Sequence, residues 1–156
     1  VGICDHERIS LGINKAHYTN AGIKENGCFS VNVPSQGLME KTDVCGLASG
    51  RKLDKAELFE VFYGKLERAP MIAECPLCME CRLERVVDFP RHDLFVGEVV
   101  ATYADPAVLT DGSIDFARVR PLLFDMPSRG YWSLGDRLAT AWDVGKGLLQ
   151  RVGGGA

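Results

Sequence analysis

Apolar and polar residues alternate along Arg8-Ile9-Ser10-Leu11-Gly12-Ile13-Asn14, the two-residue period of a strand with one buried face. A short helix is predicted next, over 19–26, with Thr19 as its N-cap and Gly27 as its stop. Residues 28–33 read as a second strand, ended by Pro34. A further short helix is expected over 35–41, capped by Ser35. The stretch 42–55 mixes glycines and charges and reads as an irregular loop with one helical turn at most. Strand material follows over 60–66, bent at Gly64, and over 74–87. The clearest strand is 93–103, with Leu94, Val96, Val99 and Val100 as candidates for burial. The turn 88–92 between the last two makes them an antiparallel hairpin. Asp111-Gly112 marks another turn, 115–119 a helical turn, and 122–124 and 130–134 two short strands. Residues 136–143 fit either a helix or a strand.

No internal repeat or low-complexity linker interrupts this order, and strands dominate without βαβ alternation. The expectation is a mainly β fold, an antiparallel barrel or sandwich with short helical insertions. No Gly-x-Gly-x-x-Gly follows a strand, so a Rossmann dinucleotide fold is not expected.

Length and charge narrow the classes. A chain of 156 residues can bury a core without staples. Its net charge of -3 argues against a nucleic-acid binder, which would show a basic face. No run approaches the roughly 18 to 20 apolar residues that span a bilayer, and Val1-Gly2-Ile3-Cys4 lacks a basic leader region, so a cytoplasmic protein without a membrane partner is expected. Val1 reads as mid-strand and is not an initiator Met, so the natural N-terminus is expected to be missing. Residues 1–146 are taken as one domain and 147–156 as a flexible tail, its glycine-rich end frayed. The six cysteines lack the spacing of a secreted disulfide framework and are expected to be reduced thiols.

Four local patterns could carry chemistry. Cys75-Pro-Leu-Cys78-Met-Glu-Cys81 has the spacing of part of an iron–sulfur or zinc site, but a fourth ligand such as Cys45 or His92 would have to join it. The alternative is small packing residues in a strand, with Cys75 and Cys81 on one face and Cys78 on the other unless a bulge intervenes. Asn14-Lys15-Ala16-His17-Tyr18-Thr19 joins a strand end to a helix start. There, unpaired N–H groups, the Lys15 charge and the Thr19 hydroxyl suit a phosphate, or else merely cap a helix. The loop from Cys45 to Lys55 brings glycines and cations that could meet an anionic ligand or could face solvent. His92, at the start of the best strand, could touch a ligand at a barrel mouth or stand half-exposed.

Taken in order, Asn14-Lys15-x-x-Tyr18-Thr19, Phe29-Ser30-Val31-Asn32-Val33-Pro34, Asp43-x-Cys45-Gly46-x-x-Ser49-Gly50-x-x-x-Asp54-Lys55, Ala73-Glu74-Cys75-Pro76, His92-Asp93-Leu94-Phe95-Val96-Gly97-Glu98-Val99 and Tyr131-Trp132-x-Leu134-Gly135 resemble the flavin reductase-like family and, within it, the flavoredoxin branch. The resemblance covers about Arg8 to Lys146. It implies an antiparallel split β-barrel of Greek-key type that dimerises and binds FMN non-covalently near the dimer interface. It implies that Asn14, Lys15, Tyr18 and Thr19 lie near the FMN phosphate, that Ser49, Gly50 and Lys55 approach the flavin, and that His92 lies near the flavin or an incoming nicotinamide as the candidate catalytic residue. No metal is expected. Such proteins usually carry a further strand before the position of Val1, with an Asn-x-x-Thr-x-Ala-Trp type segment. The expected activity is electron transfer from NADH or NADPH through the flavin to an acceptor. The alternatives are a flavoredoxin-like carrier fed by a redox-protein partner, or a dimeric domain that has lost its flavin.

Overall fold

The computed structural model describes residues 1–153. Five strands form one wholly antiparallel sheet: β1 (Gly2–Asp5), β2 (Arg8–Asn14), β3 (Cys28–Val33), β6 (Leu77–Asp88) and β7 (His92–Ala104), in the order β1-β2-β7-β6-β3. The sheet is bounded by β1 and β3 and does not close. Helix α1 (Tyr18–Asn26) links β2 to β3, and α2 (Met39–Leu47) follows β3. Two-stranded ribbons complete the chain: β4 (Val61–Phe62) with β5 (Met71–Ile72), β8 (Leu109–Thr110) with β9 (Ser113–Ile114), and β10 (Leu122–Asp125) with β11 (Gly130–Ser133). The one-turn α3 (Phe116–Val119) lies between the last two ribbons. Helix α4 (Lys146–Gly153) falls within the stretch expected to be a tail, with Leu148, Leu149 and Val152 exposed. The glycine-rich end beyond Gly153 lies outside the described residues.

The alternation in β2 works as read: Ile9, Leu11 and Ile13 join Ile23, Phe29, Cys81 and Phe95 in the main core. In β7 the parity is the reverse of expectation for two candidates. Asp93, Phe95 and Gly97 are buried, whereas Leu94 and Val96 face the other side, half-buried. Gly97 leaves space for the Phe29 ring, because a Cβ there would come within 2.6 Å of Phe29 Cε1. A second cluster holds Met71, Cys75 and Cys78 under Phe62 and Tyr103.

Other boundaries differ for local reasons. Helix α1 begins one residue early, with His17 rather than Thr19 at its N-cap and no side-chain cap bond. Asn14 makes the preceding turn, its Oδ1 accepting from Ala16 N at 2.9 Å. Gly27, at φ 65°, ends the helix as expected. Ser35 caps nothing with its side chain and instead bridges to Pro121. The first six residues of the expected 42–55 loop are the end of α2. Of the 60–66 stretch only Val61–Phe62 is strand, and 136–143 is neither helix nor strand.

The cysteines are packing residues. Cys75 precedes β6 and shares a cluster with Cys78, while Cys81, beyond a bulge at Glu80/Cys81, belongs to the main core. Burial pushes the Cys75 and Cys81 thiols up to about 12, so both are protonated at neutral pH. Among the described residues no group of three His, Cys, Asp or Glu could hold a metal, and no helix is long and apolar enough to cross a membrane.

Candidate functional site

A cleft of about 550 Å³ opens between the start of α1 and the segment from Cys45 to Ala56. Its volume is within the range of small-molecule and cofactor sites. Tyr18, Thr19, Ser49, Gly50 and Lys55 all line it, so two segments some thirty residues apart supply five of the residues singled out from sequence. Gly50 is pressed against Tyr18, where a Cβ would lie 2.9 Å from the ring's Cδ1. Lys55 Nζ donates to the Cys45 carbonyl at 2.5 Å and ties the far end of the segment to the end of α2. Asp54 caps the turn Lys55–Leu58 by accepting from Ala56 N at 3.0 Å.

Asn14, Lys15 and His92 do not line the cleft but gather beside it. Asn14 and His92 are register partners across β2 and β7. Lys15 N donates to the Arg91 carbonyl at 3.0 Å, and its ammonium sits on Asp88 Oδ1 at 2.5 Å, with Asp93 Oδ1 at 3.9 Å. His92 is exposed. The loop that opens α1 is thus bound to the β6–β7 turn.

Asp93, next to His92 on β7, holds α1 to the sheet and was not singled out from sequence. Its carboxylate is buried; Oδ2 accepts from Lys24 Nζ at 2.7 Å and from Asn20 Nδ2 at 2.9 Å, while Oδ1 has no hydrogen-bond partner. The Lys24 and Asn20 hydrogen bonds hold this carboxyl below the ordinary range against the opposing effect of burial. Asn20, itself buried, also donates to the Ile13 carbonyl, so α1 is anchored through its third residue. A polar residue at the same strand parity as Phe95 is the one signal in the sequence that could have flagged Asp93. A second buried carboxylate, Glu80, accepts from Lys65 N, Leu66 N and the Tyr103 hydroxyl. Burial pushes it up, but the Tyr103, Leu66 and Lys65 donors prevail and hold it low.

A family model, "Flavin reductase like domain", matches residues 4–130, and the chain belongs to that family. Within it the similarity runs to the flavoredoxins, and the fold is their split barrel. Flavoredoxin from Methanosarcina acetivorans superposes with a TM-score of 0.91 at 47% identity, over 95% of this chain and 80% of that one. Flavoredoxin of Desulfovibrio vulgaris (Miyazaki F) gives 0.85 at 32% identity, over 92% and 80%. An uncharacterized protein of Archaeoglobus fulgidus is 34% identical over 110 residues, 69% of this chain and 61% of its own length. The chain spans about 60% of the length of the first curated relatives it matches.

Proposed function

We propose that the chain binds FMN in the cleft between α1 and the Cys45–Ala56 segment and passes electrons from NADH or NADPH through it to an acceptor. The observation that carries this reading is the convergence of Tyr18, Thr19, Ser49, Gly50 and Lys55 on one cleft in a flavin reductase-like fold. A bound flavin supplies the hydride and electron chemistry, and the chain's work is to hold and orient it. Tyr18 offers a ring face, Thr19 and Ser49 offer hydroxyl donors, and Gly50 allows close backbone approach. Lys55 adds positive charge on the opposite wall. Asn14 and Lys15 serve the phosphate end. A phosphate there would draw the Lys15 ammonium from Asp88, whose side chain is 79% exposed and loses little on release. His92, the register partner of Asn14, is assigned to the nicotinamide or the flavin edge.

The similarity to flavoredoxins favours a second reading, a carrier that takes its electrons from a redox-protein partner. In either case the working form is a homodimer in a reducing cytoplasm. Exposed Trp132, Leu138 and Trp142 support the dimer, and six free cysteines suit the compartment. The test is a visible absorption spectrum of the purified chain before and after excess FMN and desalting. Retained flavin bands, bleached by NADH or NADPH, are expected. Bands bleached only by a reduced protein donor would favour the carrier, and a colourless protein overturns the flavin reading.

A further inference from the structure

Beside the cleft, Arg51 and Lys52 carry positive charge that no acid among the described residues pairs with. Residues 49–53 are bonded to one another: the Ser49 carbonyl accepts from Lys52 N at 2.9 Å and Leu53 N at 3.1 Å, and Ser49 Oγ accepts from Arg51 N at 3.3 Å. The loop is thereby folded onto Tyr18, with the Arg51 guanidinium 5.8 Å from the ring centroid. A guanidinium held over a ring by a cation–π contact keeps its N–H edge for a ligand, and the contact reduces the freedom it must lose on binding.

The neighbouring charges are already engaged. Lys55 is on the Cys45 carbonyl, Asp54 is on Ala56 N, and Lys15 is held by Asp88. Neither Arg51 nor Lys52 has a carboxylate partner among the described residues, although the chain as a whole is acidic. An arginine over an aromatic ring, followed in sequence by a second cation, forms a donor set for a phosphate monoester attached to an aromatic nucleoside.

We infer that Arg51 and Lys52 form a phosphate-monoester subsite on the cleft rim that reads the 2′-phosphate of NADPH, so that NADPH is preferred to NADH. This rests on the cleft being the flavin and nicotinamide site. NADH presents a hydroxyl at that position and leaves both cations without a counter-charge. NADPH satisfies them with charge-assisted hydrogen bonds, as arginines do for the same group in other nucleotide folds.

The experiment is steady-state oxidation of NADPH and NADH by the FMN-loaded chain, with calorimetric binding of NADP⁺ and NAD⁺ alongside. The expected KM for NADPH is about tenfold below that for NADH, and the same ratio is expected in binding. Arg51→Ala and Lys52→Ala should each bring the two nicotinamides to within about threefold, while Arg51→Lys keeps part of the preference. The binding ratio decides the subsite even where turnover is absent, whereas failure to take up FMN defeats the flavin reading. Equal affinity for the two nicotinamides in the wild-type chain, or a ratio unmoved by Arg51→Ala, overturns the inference. So does an Arg51→Ala protein that loses FMN relative to riboflavin with its nicotinamide ratio intact, since that result gives the phosphate contact to the flavin.

Discussion

Gly50 leaves no room for a side chain against Tyr18, where an added methyl would sit 2.9 Å from Cδ1 and 3.5 Å from Cβ and Cγ. The Tyr18 ring is more than half exposed and can swing outward, so Gly50→Ala should fold normally and displace one wall of the cleft. Its FMN affinity, followed by quenching of flavin fluorescence, should fall about tenfold with little change in melting temperature. Unchanged affinity would remove the Gly50–Tyr18 contact from the binding wall. Tyr18, Thr19, Ser49, Gly50 and Lys55 were legible because they stand in short motifs whose order along the chain carries information. Asp93 was not legible, since its meaning depends on Asn20 and Lys24, 73 and 69 residues away, whose hydrogen bonds make a buried carboxylate tolerable. For the same reason the commitment of Lys15 to Asp88 could not be read from the motif around Lys15.

The hairpin of β6 and β7 is the element on which most of the molecule leans, and it carries both buried acids. Asp93 and Glu80 each sit below their ordinary carboxyl range, so the folded state favours their charged forms. The stability they add is present above the unfolded values of about 3.9 and 4.3 and is lost as pH falls through the lower folded values. Melting temperature should therefore be flat from about pH 6 to 8 and fall steeply below about pH 4. Asp93→Asn and Glu80→Gln should each melt lower at neutral pH and show a shallower acid limb. A limb as steep as in the wild-type protein would assign the acid sensitivity to other carboxylates. The alternation in β2 located that strand and its buried face. The run Leu94-Phe95-Val96-Gly97-Glu98-Val99-Val100 has no such period, and its parity is set by a glycine making room for Phe29. The later part of α2, beyond the helix expected over 35–41, was hidden because Gly46, near its end, reads as a loop residue when the packing around it is unknown.

At the scale of the whole molecule, the sheet has two free edges, β1 and β3, and the last strands and helix expose apolar side chains. Leu138 is 97% and Trp142 95% exposed. Sedimentation should give a particle of twice the 17.1 kDa chain, with the tryptophan emission shifting to the red when the particle is diluted to monomers. A monomer at all concentrations would set the dimer aside. The distribution of thiols has a practical corollary. Cys28, Cys75, Cys78 and Cys81 are buried, Cys4 is exposed, and Cys45 is half-buried in the wall of the cleft. With Cys4 replaced by serine, Cys45 is the one thiol that is not buried, next to the proposed binding site. A small fluorophore attached there would serve as a built-in gauge of cleft occupancy.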